Sequence, residues 1–282
     1  MPVDKKFAAV RGSRMAYVEE GEGRPIVLLH GNPTSSYLWR KVMPELRGLG
    51  RLIAPDLAGM GDSERIDSSY RFVDHRMRVD ALLETLGVTG DVVLVGHDWG
   101  GALLFDWARR HPSSIEAIVY METIVRPLTW EEWPEASRGA FQGMRSDAGA
   151  EMVLGKNFFV ERILPASVLD PLAPETMEEY RRPFRSVESR RPTLTWPREI
   201  PIDGTPADVT EIVAANAAWM AENDIPKLFI NADPGSILVG AQRDFARTWP
   251  NQREVTVRGS HFVQEDSGPE IGRAIGEFLR SL

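Results

Sequence analysis

Residues 91–110 constrain the fold more than any other stretch. An apolar run, Val92, Val93, Leu94 and Val95, is followed by Gly96-His97-Asp98-Trp99-Gly100. An amphipathic segment then runs to Arg110, closed by His111-Pro112. The run of β-branched and Leu residues reads as a buried strand, and the segment from Ala102 as a helix. Gly96 and Gly100 stand two before and two after Asp98, and small residues there permit a very sharp strand-to-helix turn. Such a turn thrusts its central side chain into the open, beside the unpaired N–H groups of a helix start. Asp98 is therefore a candidate nucleophile. The plainer alternative is that it caps the following helix, as Asp before a helical run often does.

Elsewhere the pattern alternates strand with helix. Residues 7–10 and 15–19 flank Arg11-Gly12-Ser13 and read as an opening hairpin. Residues 25–30 are a short apolar run ending in the polar turn 31–36, before a helical pattern over 37–46. A strand at 51–56 runs into the Gly-rich loop 58–63, and a helix over about 71–86 leads to the elbow strand. After the elbow helix, residues 115–121 are strand-like and stop at Glu122. From about 124 to 206 there is no clear strand, and aromatic residues stand among helical patterns and prolines. Alternation then resumes with a helix at 209–222, a strand at 227–231, a helix at 240–248, a strand at 254–257 and a closing helix at 269–282. This implies a mostly parallel sheet covered by helices on both faces. Its core would comprise residues 1–123 and 207–282, with a helical cap inserted at 124–206.

The 282 residues, 43% of them hydrophobic, suffice for a large α/β core carrying such an insertion. A net charge of −8 without any Lys/Arg cluster argues against nucleic acid or an anionic membrane surface as a partner. Cysteine is absent, which removes disulfides, thiolate metal sites and a Cys nucleophile together. The charged residues 1–10 lack the apolar stretch of a signal peptide, and no apolar run approaches a membrane span. The expectation is a cytoplasmic monomer.

Sites in such sheets lie at the carboxyl ends of the strands. Asp98, Glu122 and His261 all fall there, in the chain order nucleophile, acid, histidine. Of the five histidines, His30 starts a turn, His75 and His111 fall on helices or at their ends, and His97 points away from the nucleophile by alternation. Only His261 lies in the loop between the last strand and the last helix. The orienting acid stays open on chemistry alone, because Asp233 ends the next core strand and either carboxylate could hold an imidazole.

The segments His30 to Trp39, Gly96 to Gly100, Tyr120-Met121-Glu122, Ser260-His261-Phe262 and Gln264-Glu265-Asp266 resemble the haloalkane dehalogenases of the α/β-hydrolase superfamily. Further likeness runs through Arg191 to Pro197, Lys227 to Asn231 and Thr248 to Gln252, toward the branch of the hexachlorocyclohexane-degrading member. The resemblance covers nearly the whole chain. It implies an α/β-hydrolase fold with a helical cap, and hydrolysis of halogenated aliphatic molecules to an alcohol, a halide ion and a proton. It implies Glu122 rather than Asp233 as the acid of an Asp98–His261–Glu122 triad, and a halide site formed by Asn32 and Trp99. It further implies a substrate pocket lined by Trp133, Phe141, Phe159, Trp196, Pro197, Ile237 and Phe262. No metal or organic cofactor is expected. Epoxide hydrolases share the Asp nucleophile but use paired cap tyrosines, and Tyr180 is the one tyrosine after Glu122.

Overall fold

A computed structural model describes residues 4–282. The chain opens with the hairpin β1 (Lys6–Val10) and β2 (Ser13–Glu20), then enters β3 (Pro25–Leu29). A 3-10 turn (Ser36–Lys41) and the single helical turn α1 (Met43–Leu46) lead to β4 (Arg51–Pro55) and α2 (Phe72–Thr85). Then come β5 (Val92–Asp98), α3 (Trp99–Arg110) and β6 (Ile115–Thr123). The insertion carries α4 (Glu135–Arg145), two π-helical turns, the short α5 (Leu164–Ala166), α6 (Pro174–Arg181) and α7 (Arg191–Glu199). The chain returns through α8 (Ala207–Glu222), β7 (Lys227–Pro234), α9 (Gly240–Ala246), β8 (Gln252–Gly259) and α10 (Val263–Arg280).

The eight strands form one sheet in the order β1-β2-β4-β3-β5-β6-β7-β8. The opening hairpin pairs antiparallel, and every pairing from β4 to β8 is parallel. Successive side chains of a strand point to opposite faces, so the central strands feed two cores. Val27, Leu29, Leu94, Ile118 and Phe229 pack on the face of α2, α3 and α8. Ile26, Leu28, Val93, Val95, Val119 and Ile230 pack on the face of α10 and Trp39. This is the α/β-hydrolase architecture. Part of the insertion shares the sheet's core, since Trp133, Phe141, Phe159 and Trp196 join the same cluster as Leu94 and Trp99; Leu164, Met177 and Tyr180 form a smaller cluster with Leu38 and Phe262.

Three expectations shift. The pattern at 37–46 is a 3-10 turn plus one α turn, not a continuous helix. Helix α3 starts at Trp99 rather than near Ala102, immediately after the turn. An extra helical turn over 263–266 precedes the last helix; non-helical Ser267 (φ −136°) separates the two, and Pro269 stands in the first turn of the second, as expected. Among the described residues no helix is long and apolar enough to cross a membrane.

Candidate active site

Asp98 ends β5 at φ 52°, ψ −132°, a conformation costly for any residue with a Cβ. Its neighbours make the turn possible. A Cβ on Gly96 would lie 2.4 Å from Gly101 Cα, and one on Gly100 would lie 2.1 Å from Leu29 O. The helix thus springs from the strand with backbone packed on backbone. The Asp98 side chain makes no capping hydrogen bond to α3. Instead its Oδ2 accepts the Asn32 N–H at 2.8 Å. Burial raises the Asp98 pKa, against the opposing pull of His261 and of the Asn32 and Trp99 backbone N–H groups.

Glu122 reaches the same place through an irregularity in pairing. His97 pairs with Met121 but Asp98 with Thr123, so Glu122 is an extra residue bulged out of β6, at φ 40°. A bulge re-aims a side chain. Glu122 Oε2 accepts the Ser236 and Ile237 N–H groups at 3.0 and 2.9 Å, and lies 3.3 Å from His261 Nδ1. Asp233, the alternative acid, is exposed at the end of β7. His261 Nε2 lies 3.7 Å from Asp98 Oδ1. Burial works against the His261 imidazolium, but its hydrogen bond to Glu122 and the charges of Asp98 and Glu122 outweigh it and raise its pKa.

These residues border a cavity of about 510 Å³ between sheet and insertion, lined in part by Asn32, Asp98, Trp99 and His261. Neither polar atom of the Asn32 amide has a hydrogen-bond partner, although the residue is buried. Buried amides are normally paired, so Asn32 has capacity left for a ligand in the cavity. Trp99 stacks on Trp196 with ring centroids 4.7 Å apart, and Phe72 braces it at 5.8 Å.

Of the pocket residues named from the sequence, Trp133, Phe141, Phe159, Pro197 and Ile237 lie on the cavity wall, whereas Trp196 and Phe262 do not. Trp196 is sandwiched between Trp99 and His75, and Phe262 packs behind His261 at 4.7 Å. Both support wall residues from the second layer. The wall also includes Ile124, Ser137, Ala140, Ile163, Ser167 and Ile200, which the sequence reading missed. Helical spacing carried a signal for two of them, since Ser137, Ala140 and Phe141 share one face of α4.

The four other histidines stand off the cavity wall. His30 hydrogen-bonds Gly31 O and accepts the Leu57 N–H, and burial pushes its pKa down to about 4. Burial takes His75 down to about 3, beneath the Trp196 ring. His111 bonds Trp107 O. His97 points away from Asp98 as alternation predicts, and makes a contact that alternation does not announce. Alternation does put it on the α10 face of the sheet, but the loop after β8 folds over that face, and His97 Nε2 lies 2.7 Å from His261 O.

Comparison with known proteins agrees with this geometry. A model of the alpha/beta hydrolase fold matches residues 24–268. A haloalkane dehalogenase of Sphingobium indicum is 56% identical over 99% of this chain and 96% of its own length. One of Mycolicibacterium smegmatis is 49% identical over 98% of this chain and 91% of its own. Among solved structures, the haloalkane dehalogenase DbeA from Bradyrhizobium elkani superimposes with a TM-score of 0.95 at 42% identity, covering 99% of this chain and 98% of that one. Likeness of this degree, spread over almost every residue of both partners, makes the chain a member of the haloalkane dehalogenase family.

Proposed function

We propose that the chain hydrolyses haloalkanes through a covalent ester on Asp98, with His261 and Glu122 completing the triad and Asn32 and Trp99 holding the departing halide. The carrying observation is the meeting, at one apolar cavity, of a buried carboxylate, a histidine 3.7 Å from it and an amide without partners.

The two Asp98 oxygens are inequivalent. Oδ2 is held by the Asn32 N–H, and Oδ1 faces His261. Oδ1 attacks the saturated carbon opposite the halogen; the new carbon–oxygen bond forms as the carbon–halogen bond breaks, and the electron pair leaves with the halide. A carboxylate suits this step because it is ionised near neutral pH and needs no base. The halide gathers charge in a largely apolar pocket, where the Asn32 amide and the Trp99 indole N–H, fixed in advance, stabilise it. Trp99 is buried against Trp196 and Phe72, so its indole has little freedom to turn away.

Oδ2 has now become the ester carbonyl oxygen, already beside the Asn32 N–H. His261 takes a proton from water, which adds to the Asp98 carboxyl carbon, and charge develops on Oδ2 against the Asn32 and Trp99 backbone N–H groups. Collapse returns the Asp98 carboxylate, releases the alcohol and leaves a proton for solvent. Glu122, fixed by two backbone N–H groups, holds the His261 tautomer and offsets the imidazolium charge. Trp133, Phe141, Phe159, Pro197 and Ile237 suit an apolar substrate, and Trp196 and Phe262 contribute by backing Trp99 and His261. An epoxide-opening reading has less support. No tyrosine belongs to the cavity wall among the described residues, and Tyr180 donates its hydroxyl to Glu265 instead. The same reading has a monomer acting in the cytoplasm.

The test is bromide release from 1-bromobutane. The parent should yield equal amounts of bromide and butanol, and folded Asp98→Asn, assayed before any deamidation, should yield neither. Equal bromide release by the two proteins would refute the assignment.

A further inference from the structure

The peptide joining His261 to Phe262 is gripped from both sides. Its carbonyl lies 2.7 Å from His97 Nε2, and its N–H donates to Ser167 O of the insertion at 3.0 Å. A carbonyl only accepts, so His97 must carry its proton on Nε2. Its Nδ1 is buried with no hydrogen-bond partner, as suits a bare ring nitrogen. The ring is fully buried, with its centroid 4.8 Å from the His261 ring and 5.8 Å from the Phe262 ring. Burial, and then the neighbouring His261, hold it far below the ordinary histidine range, so it stays neutral and keeps the donor.

The residue just before the nucleophile therefore grips the main chain of the histidine that faces the nucleophile. We propose that His97 is a positioning residue: its Nε2–H locks the His261–Phe262 peptide to the strand-to-helix turn and keeps His261 Nε2 aimed at the Asp98 carboxyl. Glu122 fixes the far end of the His261 ring, but a hydrogen bond at Nδ1 leaves the ring free to pivot about that contact. The His97 bond removes the pivot by fixing the backbone. Misplacement of a reacting group by about 1 Å can cost 10²-fold in rate.

The inference rests on the two-step reading above, and predicts which step suffers. Alkylation uses Asp98 without a base, whereas ester hydrolysis needs His261 in place. His97→Leu removes the donor and keeps an apolar side chain, and His97→Gln supplies an amide N–H that reaches the same carbonyl. Single-turnover reactions with 1-bromobutane would follow bromide and butanol separately. In His97→Leu, bromide should still leave in a fast first turnover, while butanol release slows by about 10²-fold and the butyl-enzyme accumulates by intact mass. His97→Gln should recover most of the hydrolysis rate. The proposal is overturned if His97→Leu hydrolyses its ester at the parent rate, if both steps slow together, or if Gln is no better than Leu. Should His97→Leu fail to fold, imidazole-nitrogen NMR of the parent decides. A neutral Nε2–H tautomer protected from exchange supports the bond, and an Nδ1–H tautomer contradicts it. A parent that releases no bromide defeats the two-step reading instead, and leaves the NMR result to judge His97.

Discussion

Asp98 and His261 face each other across 3.7 Å, both buried, and each changes the other's hold on its proton. Burial raises the pKa of Asp98, and His261 opposes that rise. For His261, burial lowers the pKa, but Glu122 and the Asp98 charge raise it further. Alkylation of Asp98 erases one of these charges and leaves Glu122. His261 in the alkyl-enzyme should then titrate at lower pH than in the free protein. Because it must be neutral to accept the proton from water, hydrolysis is lost as pH falls through the pKa of that intermediate. The acid limb of single-turnover ester hydrolysis should lie below the pH at which NMR sees His261 titrate in the unreacted protein. Coincident midpoints would mean that the Asp98 charge does not reach His261.

Among the elements, the turn between β5 and α3 tolerates least. A Cβ at Gly100 would meet Leu29 O at 2.1 Å and His30 O at 2.5 Å, both main-chain atoms that cannot swing aside. Gly100→Ala should destabilise by about 3 kcal/mol or more, the upper end of overpacking costs. A Cβ at Gly139, within α4, would meet nothing within 4 Å, and Gly139→Ala should stabilise by about 0.5–1 kcal/mol. Urea unfolding of the pair measures both signs, and similar shifts in one direction would undo the steric argument. The turn was legible from sequence because its glycines are spaced by that steric need. Glu122 was not separable from Asp233 by residue chemistry, since the bulge that turns it toward His261 is a matter of register between β5 and β6. Trp196 looked like a pocket residue because aromatic character does not tell a wall from the layer behind it. Pro269 marked the start of the closing helix because a proline is at home in a first turn, whereas the turn of helix ahead of Ser267 left no separate signal.

In the whole molecule, the insertion is tied to the core by hydrogen bonds and ion pairs. Glu199 at the end of α7 accepts the Phe72 N–H at the start of α2 at 2.9 Å and the Arg71 Nε at 3.0 Å. Thr195 donates to Ser69 O, Arg182 pairs with Asp62, and Phe262 N–H reaches Ser167 O. Glu199 is buried and Arg71 partly exposed, so the ion pair itself is worth little. The larger loss on Glu199→Ala is the buried Phe72 N–H left unpaired, about 1–3 kcal/mol. A lowered urea midpoint should result, and because Phe72 braces Trp99, weaker halide protection should accompany it. An unchanged midpoint would show that these contacts are incidental. The central claim for the molecule is that one carboxylate becomes an ester while a histidine waits to open it. The most direct measurement is the intact mass of folded His261→Phe after exposure to 1-bromobutane, followed by peptide mapping. The account predicts a protein heavier by one butyl group, carried on Asp98, with one equivalent of bromide released and no butanol. Bromide and butanol formed together over many turnovers, with no adduct on Asp98, would contradict it.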